Sequence, residues 1–174
     1  MALSLAAPLV AAQATRPSFS ISIGAPKDIE SDSVELSITI TNISDHDVVL
    51  GSGGHTETDF TFQVKDSTGK APPEAPYMKG LGPDFGNLSY SMLKPGESLK
   101  RALDLRKMFV LPPGKYSIQV SRFENAFAIY GSKNRAATDL GPGHKSEPVG
   151  PLYEPSPNSN LEIKSNTIRF TVVP

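Results

Sequence analysis

Three residues near the centre of the chain carry side chains that could bind a metal ion. His55, Glu57 and Asp59 are spaced two positions apart, so all three would project from one face of an extended segment. Imidazole and carboxylate are ordinary metal ligands, but two of the three are carboxylates and no fourth ligand is evident. A polar loop leading into a strand is therefore the favoured interpretation, and the sequence predicts no metal and no cofactor.

Two further acidic segments favour the same conclusion. Residues 45–47 (Asp-His-Asp) form a polar turn after a strand. Asp28, Glu30 and Asp32 alternate as in oxygen-rich calcium sites between domains, but they lack the glycine and the late bidentate glutamate of an EF-hand loop. Ordinary turn acidity is the favoured interpretation of both segments.

Nucleophilic catalysis finds no support in the sequence. The chain has no cysteine and no Gly-x-Ser-x-Gly motif. The Gly-Ser-Gly-Gly run at 51–54 follows an apolar segment and opens no helix, so a flexible loop is a better interpretation than a phosphate-binding loop. Because the chain also lacks apolar surroundings for paired carboxylates, we predict that the protein is not an enzyme.

Length and charge limit the fold and its partners. At 174 residues the chain has the length of one domain with a core large enough to fold without disulfides. Lysine and arginine number 17 against 18 aspartate and glutamate, which gives a net charge of -1. Such a balance creates no global field for nucleic acid or anionic lipid, so no nucleic-acid partner is predicted.

The N-terminus carries the one targeting signal. Residues 2–12 form an uncharged apolar run, and residues 12–14 (Ala-Gln-Ala) are a small-x-small cleavage pattern. The run is too short to span a bilayer, so residues 1–14 are predicted to be a signal peptide. The mature domain at 15–174 is then periplasmic or extracellular, without stable membrane insertion. Because no lysine or arginine precedes the run, a truncated start and an ordinary N-terminal segment stay open as alternatives.

Alternation of apolar and polar residues dominates the rest of the chain and indicates short, half-buried strands. The strands, lettered A to G in chain order, are predicted near 19–23, 34–41, 60–65, 88–92, 98–105, 116–120 and 167–172. A helical turn is predicted at 106–110, after strand E. No helical crossovers separate the strands, so the pattern predicts an all-β sandwich rather than a parallel sheet.

Two Pro-Gly turns refine this prediction. The second of them, Pro113 and Gly114, leads into a strand that opens with Tyr116. A tyrosine in this position is typical of the tyrosine corner of immunoglobulin-like sandwiches. We predict an all-β, immunoglobulin-like antiparallel β-sandwich of about seven strands, with these three residues as its structural corner. The Tyr116 hydroxyl is expected to bond to the backbone at 109–111.

Two connections are longer than a sandwich needs. The C to D connection is rich in proline and carries Tyr77 and Phe85. The F to G connection, at about 124–164, is a long insertion whose apolar cluster at 126–130 is predicted to pack back on the sandwich. In an immunoglobulin-like fold the B to C and F to G connections emerge at one end, so this end is the predicted working surface.

Aromatic side chains on loops suit contact with a protein. The candidate partner-binding residues are His55, Tyr130 and Tyr153, and the predicted partner is a protein. A carbohydrate is a weaker candidate because the chain has no tryptophan.

Two tripeptides, at 42–44 (Asn-Ile-Ser) and 87–89 (Asn-Leu-Ser), fit the N-glycosylation pattern. Such tripeptides arise often by chance, and nothing else in the sequence indicates a eukaryotic secretory route.

The strand and turn motifs together resemble a known family. Residues 34–44, 59–70, 93–97 and 113–116 are similar to the bacterial Ig-like domains grouped with the BsuPI intracellular proteinase inhibitor. The closing segment at 164–172 is similar to exported Ig-like bacterial proteins of unknown function. Because these motifs are turns and strands, the resemblance implies an immunoglobulin-like architecture. It does not identify any residue of this chain as inhibitory.

Two functions follow as hypotheses. The first is an exported, non-enzymatic binding or accessory module of a bacterial envelope, which contacts a partner through its B to C and F to G connections. The second is a protease inhibitor that presents the F to G connection. Resistance of residues 124–164 to proteolysis would favour the inhibitor, and rapid nicking would favour the binding module.

Overall fold

A computed structural model describes residues 16–25, 28–29, 33–52, 55–81, 89–124, 127–129, 153–155 and 161–174. For residues 28–29, 89–90, 127–129 and 153–155 the backbone alone is described. The predicted signal peptide at 1–14 lies outside the described residues.

Strands make up most of the described chain. In order they are β1 (Phe19–Gly24), β2 (Asp28–Ile29), β3 (Glu35–Asn42), β4 (Val48–Ser52), β5 (Thr61–Asp66), β6 (Ser89–Leu93), β7 (Ser98–Asp104), β8 (Gly114–Phe123), β9 (Phe127–Ile129), β10 (Tyr153–Pro155) and β11 (Glu162–Val172). Two short helices, α1 (Pro76–Gly80) and α2 (Leu105–Met108), and a 3-10 turn at Thr56–Asp59 complete the elements. The prediction of an all-β sandwich is confirmed.

The strands form three sheets. The first has the order β1-β3-β7 and the second has the order β2-β11-β8-β5. Neighbouring strands in both are antiparallel, except that β2 runs parallel to β11. The third sheet, β10-β9-β4-β6, is antiparallel throughout and is built largely from the connections between the main strands.

The core follows from the period-2 alternation of the strands. In β3, Leu36, Ile38 and Ile40 are buried while the residues between them are more exposed. In β8, Ile118 and Val120 are fully buried in the same cluster. Burial of each such side chain stabilises the fold by roughly 1.5–3 kcal/mol, so this alternation holds the two main sheets together.

The stretch after the first Pro-Gly turn combines a strand with a helical turn, as predicted. Strand β7 ends at Asp104, and α2 begins one residue earlier than the predicted turn. The Asp104 carboxylate accepts hydrogen bonds from the backbone amides of Arg106 at 3.0 Å and Val34 at 2.9 Å. This side chain therefore caps α2 and ties it to the start of β3.

Two strands differ from the sequence prediction. Gly51 and Ser52 belong to β4 rather than to a flexible loop, because they continue the pairing of Val48 with Leu93 along β6. Strand β11 begins at Glu162 instead of Thr167, because a register shift between Lys164 and Thr167 interrupts the alternation. With the short strands added, eleven strands are described instead of about seven.

The predicted corner around Tyr116 is present, with a different acceptor. The Tyr116 hydroxyl donates a 2.7 Å hydrogen bond to the Pro112 carbonyl, one residue beyond the predicted range of 109–111. Its ring is buried and stacks on Phe170, with 5.6 Å between the ring centroids. Burial raises the pKa of Tyr116, the nearby Asp66 charge adds to the rise, and the hydroxyl stays a donor at neutral pH.

Candidate binding surface at one end of the sandwich

Three connections leave the sandwich at the same end. Strand β3 ends there at Asn42, and β7 begins there with Ser98 opposite Thr41. Strand β5 begins at this end too, with Thr61 opposite Ser121 of β8. We call the described residues at 43–52, 55–60, 94–97, 124, 127–129, 153–155 and 161 together the loop pole.

Pairing between strands joins the first and the last of these connections. Strand β4 lies within 43–60 and β9 lies within 124–161, and the two pair with Val48 opposite Ala128 and Val49 opposite Phe127. Strand β10 extends the same sheet, with Tyr153 opposite Ile129. The apolar cluster at 126–130 is predicted to pack back on the sandwich, and the backbone at 127–129 pairs with β4; the packing of its side chains lies outside what the structure describes.

Asn42 organises the other side of the loop pole. Its side-chain amide donates to the carbonyls of His46 at 2.7 Å and Leu93 at 2.8 Å, and its side-chain oxygen accepts from the amide and hydroxyl of Ser44. Its backbone exchanges hydrogen bonds with Gly96 and Glu97 of the short turn. Because the side chain is 1% exposed and fully engaged, Asn42 is a structural hub, although its tripeptide also fits the glycosylation pattern.

Arg122 ties the end of β8 to the first connection. Its guanidinium donates to the carbonyl of Gly51, and its Cζ atom lies 5.7 Å from the centroid of the Phe60 ring. Burial lowers the pKa of Arg122 from its ordinary value, and the charge of Asp59 opposes that shift. Asp59 in turn accepts a hydrogen bond from the Ser52 hydroxyl. A buried cation therefore fixes both ends of the segment at 51–60.

Glu124 closes the base of the long insertion. Its carboxylate is fully buried and accepts hydrogen bonds from the backbone amide and the hydroxyl of Ser18. Its own amide donates to the carbonyl of Leu161 at 2.8 Å, so the two ends of the insertion are held side by side. Together with Asn42 and Arg122, this residue gives the loop pole a buried polar framework.

His55 lies at the loop pole, at the start of the 3-10 turn. Its carbonyl accepts from the amide of Thr58 at 3.0 Å and from the Thr58 hydroxyl at 2.8 Å. Because residues 56–59 are helical, His55, Glu57 and Asp59 do not share the face of an extended segment on which a metal site would depend. Within the described ranges no group of three metal-binding side chains comes together.

The aromatic candidates are only partly covered by the described chain. Tyr153 begins β10, where its backbone alone is described, and Tyr130 and Phe85 lie outside the described residues. Tyr77 lies on α1, outside the loop pole, and is 43% exposed; its neighbour Met78 lines a hollow with Glu57 and Thr58. Of the acidic series at 28–32, Asp28 is in β2, while Glu30 and Asp32 also lie outside the described residues.

Large apolar side chains are exposed beside the buried framework. Ile43, Met92 and Phe123 are each 54% exposed. Ile43 follows Asn42 in the chain, and Phe123 precedes Glu124. Met92 precedes Leu93, whose carbonyl accepts a hydrogen bond from Asn42. Exposed apolar side chains close to an ordered framework are a feature of surfaces that contact proteins.

Comparison with known proteins adds no relative to this description. No family model matches the chain, and no curated protein matches its sequence. No helix in the described part of the chain is long and apolar enough to cross a membrane.

Sequence reasoning missed the buried framework. Asn42, Arg122 and Glu124 are polar residues next to strand ends, where exposure is the ordinary expectation. One signal was available for Arg122, which continues the alternation of Ile118 and Val120 and therefore points inward. Glu124 stands at the next position of the same series, but the sequence gives no sign of its partner Ser18, which is 106 residues away in the chain.

Proposed function

We propose that this protein is an exported, non-enzymatic immunoglobulin-like module of a bacterial envelope that binds a protein partner through its loop pole. The export signal at 1–14 and the resemblance to exported Ig-like bacterial proteins support the compartment. The exposed apolar side chains of Ile43, in the loop pole, and of Met92 and Phe123, next to it in the chain, support a protein as the partner.

The strand order supports the immunoglobulin-like assignment. One layer contains β1, β3 and β7, which correspond to strands A, B and E. The other layer contains β11, β8 and β5, which correspond to G, F and C. The Tyr116 hydrogen bond to Pro112 lies at the start of the F strand, where a tyrosine corner belongs.

The pairing of β4 with β9 is the observation that carries the proposal. It makes one sheet from the first connection and the long insertion, which are widely separated in the chain. A surface held by strand pairing loses less conformational freedom on binding than two independent loops would. The loop pole is therefore preorganised for a partner that touches both connections.

The chemistry of the buried groups also favours binding over catalysis. Arg122 and Glu124 are engaged with backbone atoms and with Ser18, and both are buried. A general acid or base must reach a substrate proton, so these groups suit positioning of the loops rather than reaction.

Replacement of the distal insertion tests the proposal. In the variant, residues 130–160 give way to a short Gly-Ser linker, which removes Tyr130, Tyr153 and β10 and keeps the pairing of β9 with β4. The protein and the variant are each used to capture partners from the bacterial envelope fraction, and the captured protein is then purified and its binding measured. Tyr77→Ala, which alters an exposed tyrosine outside the loop pole, is the control.

We expect the linker variant to unfold cooperatively, because long surface loops add little closure entropy, and to bind the partner at least about tenfold more weakly. Tyr77→Ala should bind as the unaltered protein does. Undiminished binding by the linker variant would place the partner surface elsewhere on the sandwich.

A further inference from the structure

The end of the sandwich opposite the loop pole carries a group of cations that form no ion pair with the residues that the structure describes. Strand pairing places Lys65 of β5, Ser117 of β8 and Arg169 of β11 in one row across the second sheet. Lys115 lies two residues before Ser117 on the same strand and therefore on the same face. Three cations thus surround the Ser117 hydroxyl on the outer face of the sheet.

The geometry of the sheet brings these groups close together. Directly opposite residues on antiparallel strands have Cβ atoms about 5 Å apart, and diagonal neighbours are about 7–8 Å apart. Lys115 and Arg169 are diagonal neighbours, and Thr171, opposite Lys115, completes the square with Ser117. Long lysine and arginine side chains reach across such distances, so their charged groups can converge on one ligand above the two hydroxyls.

A hollow of about 640 Å³ lies at this place. Lys115, Ser117, Arg169 and Thr171 line it, together with Tyr116, Phe170 and the turn residues Asp66 and Ser67. The Asp66 carboxylate accepts hydrogen bonds from the Thr68 hydroxyl and from the amides of Thr68 and Lys70, so it is engaged within its own turn. The lining cations, Lys115 and Arg169, outnumber this one carboxylate, so the hollow has an excess of positive charge for a ligand.

The three cations have no partners of opposite charge within the described chain. Lys164, farther along β11, pairs with Glu162 at 3.2 Å, but Lys65, Lys115 and Arg169 form no such pair among the described residues. Like charges on neighbouring strands repel one another, which makes the cluster unfavourable without an anion. In a chain with a net charge of -1, this local excess of positive charge is not a consequence of composition.

We infer that this hollow, the cation square, binds a phosphate-type oxyanion between Lys115 and Arg169, with hydrogen bonds from Ser117 and Thr171. Arginine and lysine supply charge-assisted hydrogen bonds to such an anion, and the hydroxyls donate to its remaining oxygens. Lys65 adds charge from the neighbouring strand. The oxyanion can be a free phosphate or the headgroup of an anionic lipid, since both present the same group.

Inorganic phosphate is the first probe, titrated at low ionic strength into the isotope-labelled full chain and followed by amide chemical shifts. We expect saturable shifts at 115–117 and 169–171. The double variant Lys115→Gln/Arg169→Gln should weaken binding at least about tenfold, because it removes two charge-assisted contacts. Lys79→Gln/Lys100→Gln removes the same charge from exposed positions outside the square and should leave the affinity within about twofold, since remote charges are screened.

Vesicles identify the source of the oxyanion. Co-sedimentation is measured with phosphatidylcholine vesicles that contain or lack phosphatidylglycerol. Binding that needs phosphatidylglycerol and is lost in Lys115→Gln/Arg169→Gln supports a lipid headgroup, and phosphate binding without vesicle binding supports a free phosphate. Absence of saturable binding to both probes, or an equal loss in the two double variants, overturns the inference. Neither result bears on the loop pole, which lies at the other end and keeps all its residues.

Discussion

The buried carboxylate of Glu124 accepts hydrogen bonds from both the backbone amide and the hydroxyl of Ser18. These two residues are 106 positions apart in the chain, one just before β1 and the other just after β8. Their contact joins the two main sheets at the loop pole. It also fixes the point from which the long insertion leaves the sandwich.

Glu124→Gln should destabilise the protein. A glutamine has one acceptor oxygen in place of two, so one of the two Ser18 donors loses its buried acceptor, at a cost of about 1–3 kcal/mol. Urea denaturation measures the loss, and amide hydrogen exchange should become faster at Ser18. Glu74→Gln, at an exposed position, is the matched control and should change neither. Equal stability of the two variants would contradict the clamp.

Tyr116→Phe should cost about 1 kcal/mol, the usual value of a hydrogen bond in a folded protein. The change removes the 2.7 Å bond to Pro112 and leaves the ring stacked on Phe170. The denaturation midpoint is the measurement, with Tyr77→Phe, an exposed tyrosine, as the control. An unchanged midpoint for Tyr116→Phe would count against a stabilising corner.

Asp66 should make the turn at 66–70 sensitive to acid. The Thr68 hydroxyl, together with the amides of Lys70 and Thr68, donates to its carboxylate and lowers the pKa of Asp66 below 3.8. A carboxylate whose pKa is lower in the folded state stabilises the fold above its unfolded pKa, and this contribution is lost as pH falls through the folded value. Thermal midpoints are measured from pH 6 down to pH 2. As the pH falls through the unfolded and folded pKa values of Asp66, the midpoint of the unaltered protein should fall more steeply than the midpoint of Asp66→Asn. Parallel pH profiles would show that the turn does not depend on the carboxylate charge.

Alternation of apolar and polar residues predicts a strand well when one of its faces packs in the core and the other meets solvent. Strands β3 and β8 have a polar and an apolar face, so Leu36 to Ile40 and Ile118 to Val120 identify them directly. Strand β4 has no such contrast, because Val48, Val49 and Leu50 are all buried although successive side chains point to opposite faces of the sheet. A short run of this kind does not distinguish a strand from a loop segment without knowledge of its neighbours.

The buried framework of the loop pole depends on contacts that a sequence does not contain. Asn42 fits a local tripeptide pattern, yet its burial follows from acceptors at His46 and Leu93. The register shift in β11 has a similar origin, because the Asn166 side chain bonds to the amide and carbonyl of Ile23 in β1. Long-range hydrogen bonds of this kind override local patterning, which explains why the ends of strands were predicted less well than their centres.

The affinity of the captured partner for two tyrosine variants tests the central claim most directly. Tyr130→Ala/Tyr153→Ala removes the two candidate anchors of the insertion, and Tyr77→Ala removes an exposed tyrosine outside the loop pole. An aromatic anchor at a protein interface contributes about 2 kcal/mol or more, so loss of even one anchor raises the dissociation constant about thirtyfold. The double variant should show at least that rise, and Tyr77→Ala should leave the dissociation constant unchanged. Equal affinities for the double variant and the unaltered protein, or a loss confined to Tyr77→Ala, would contradict a working surface at the loop pole.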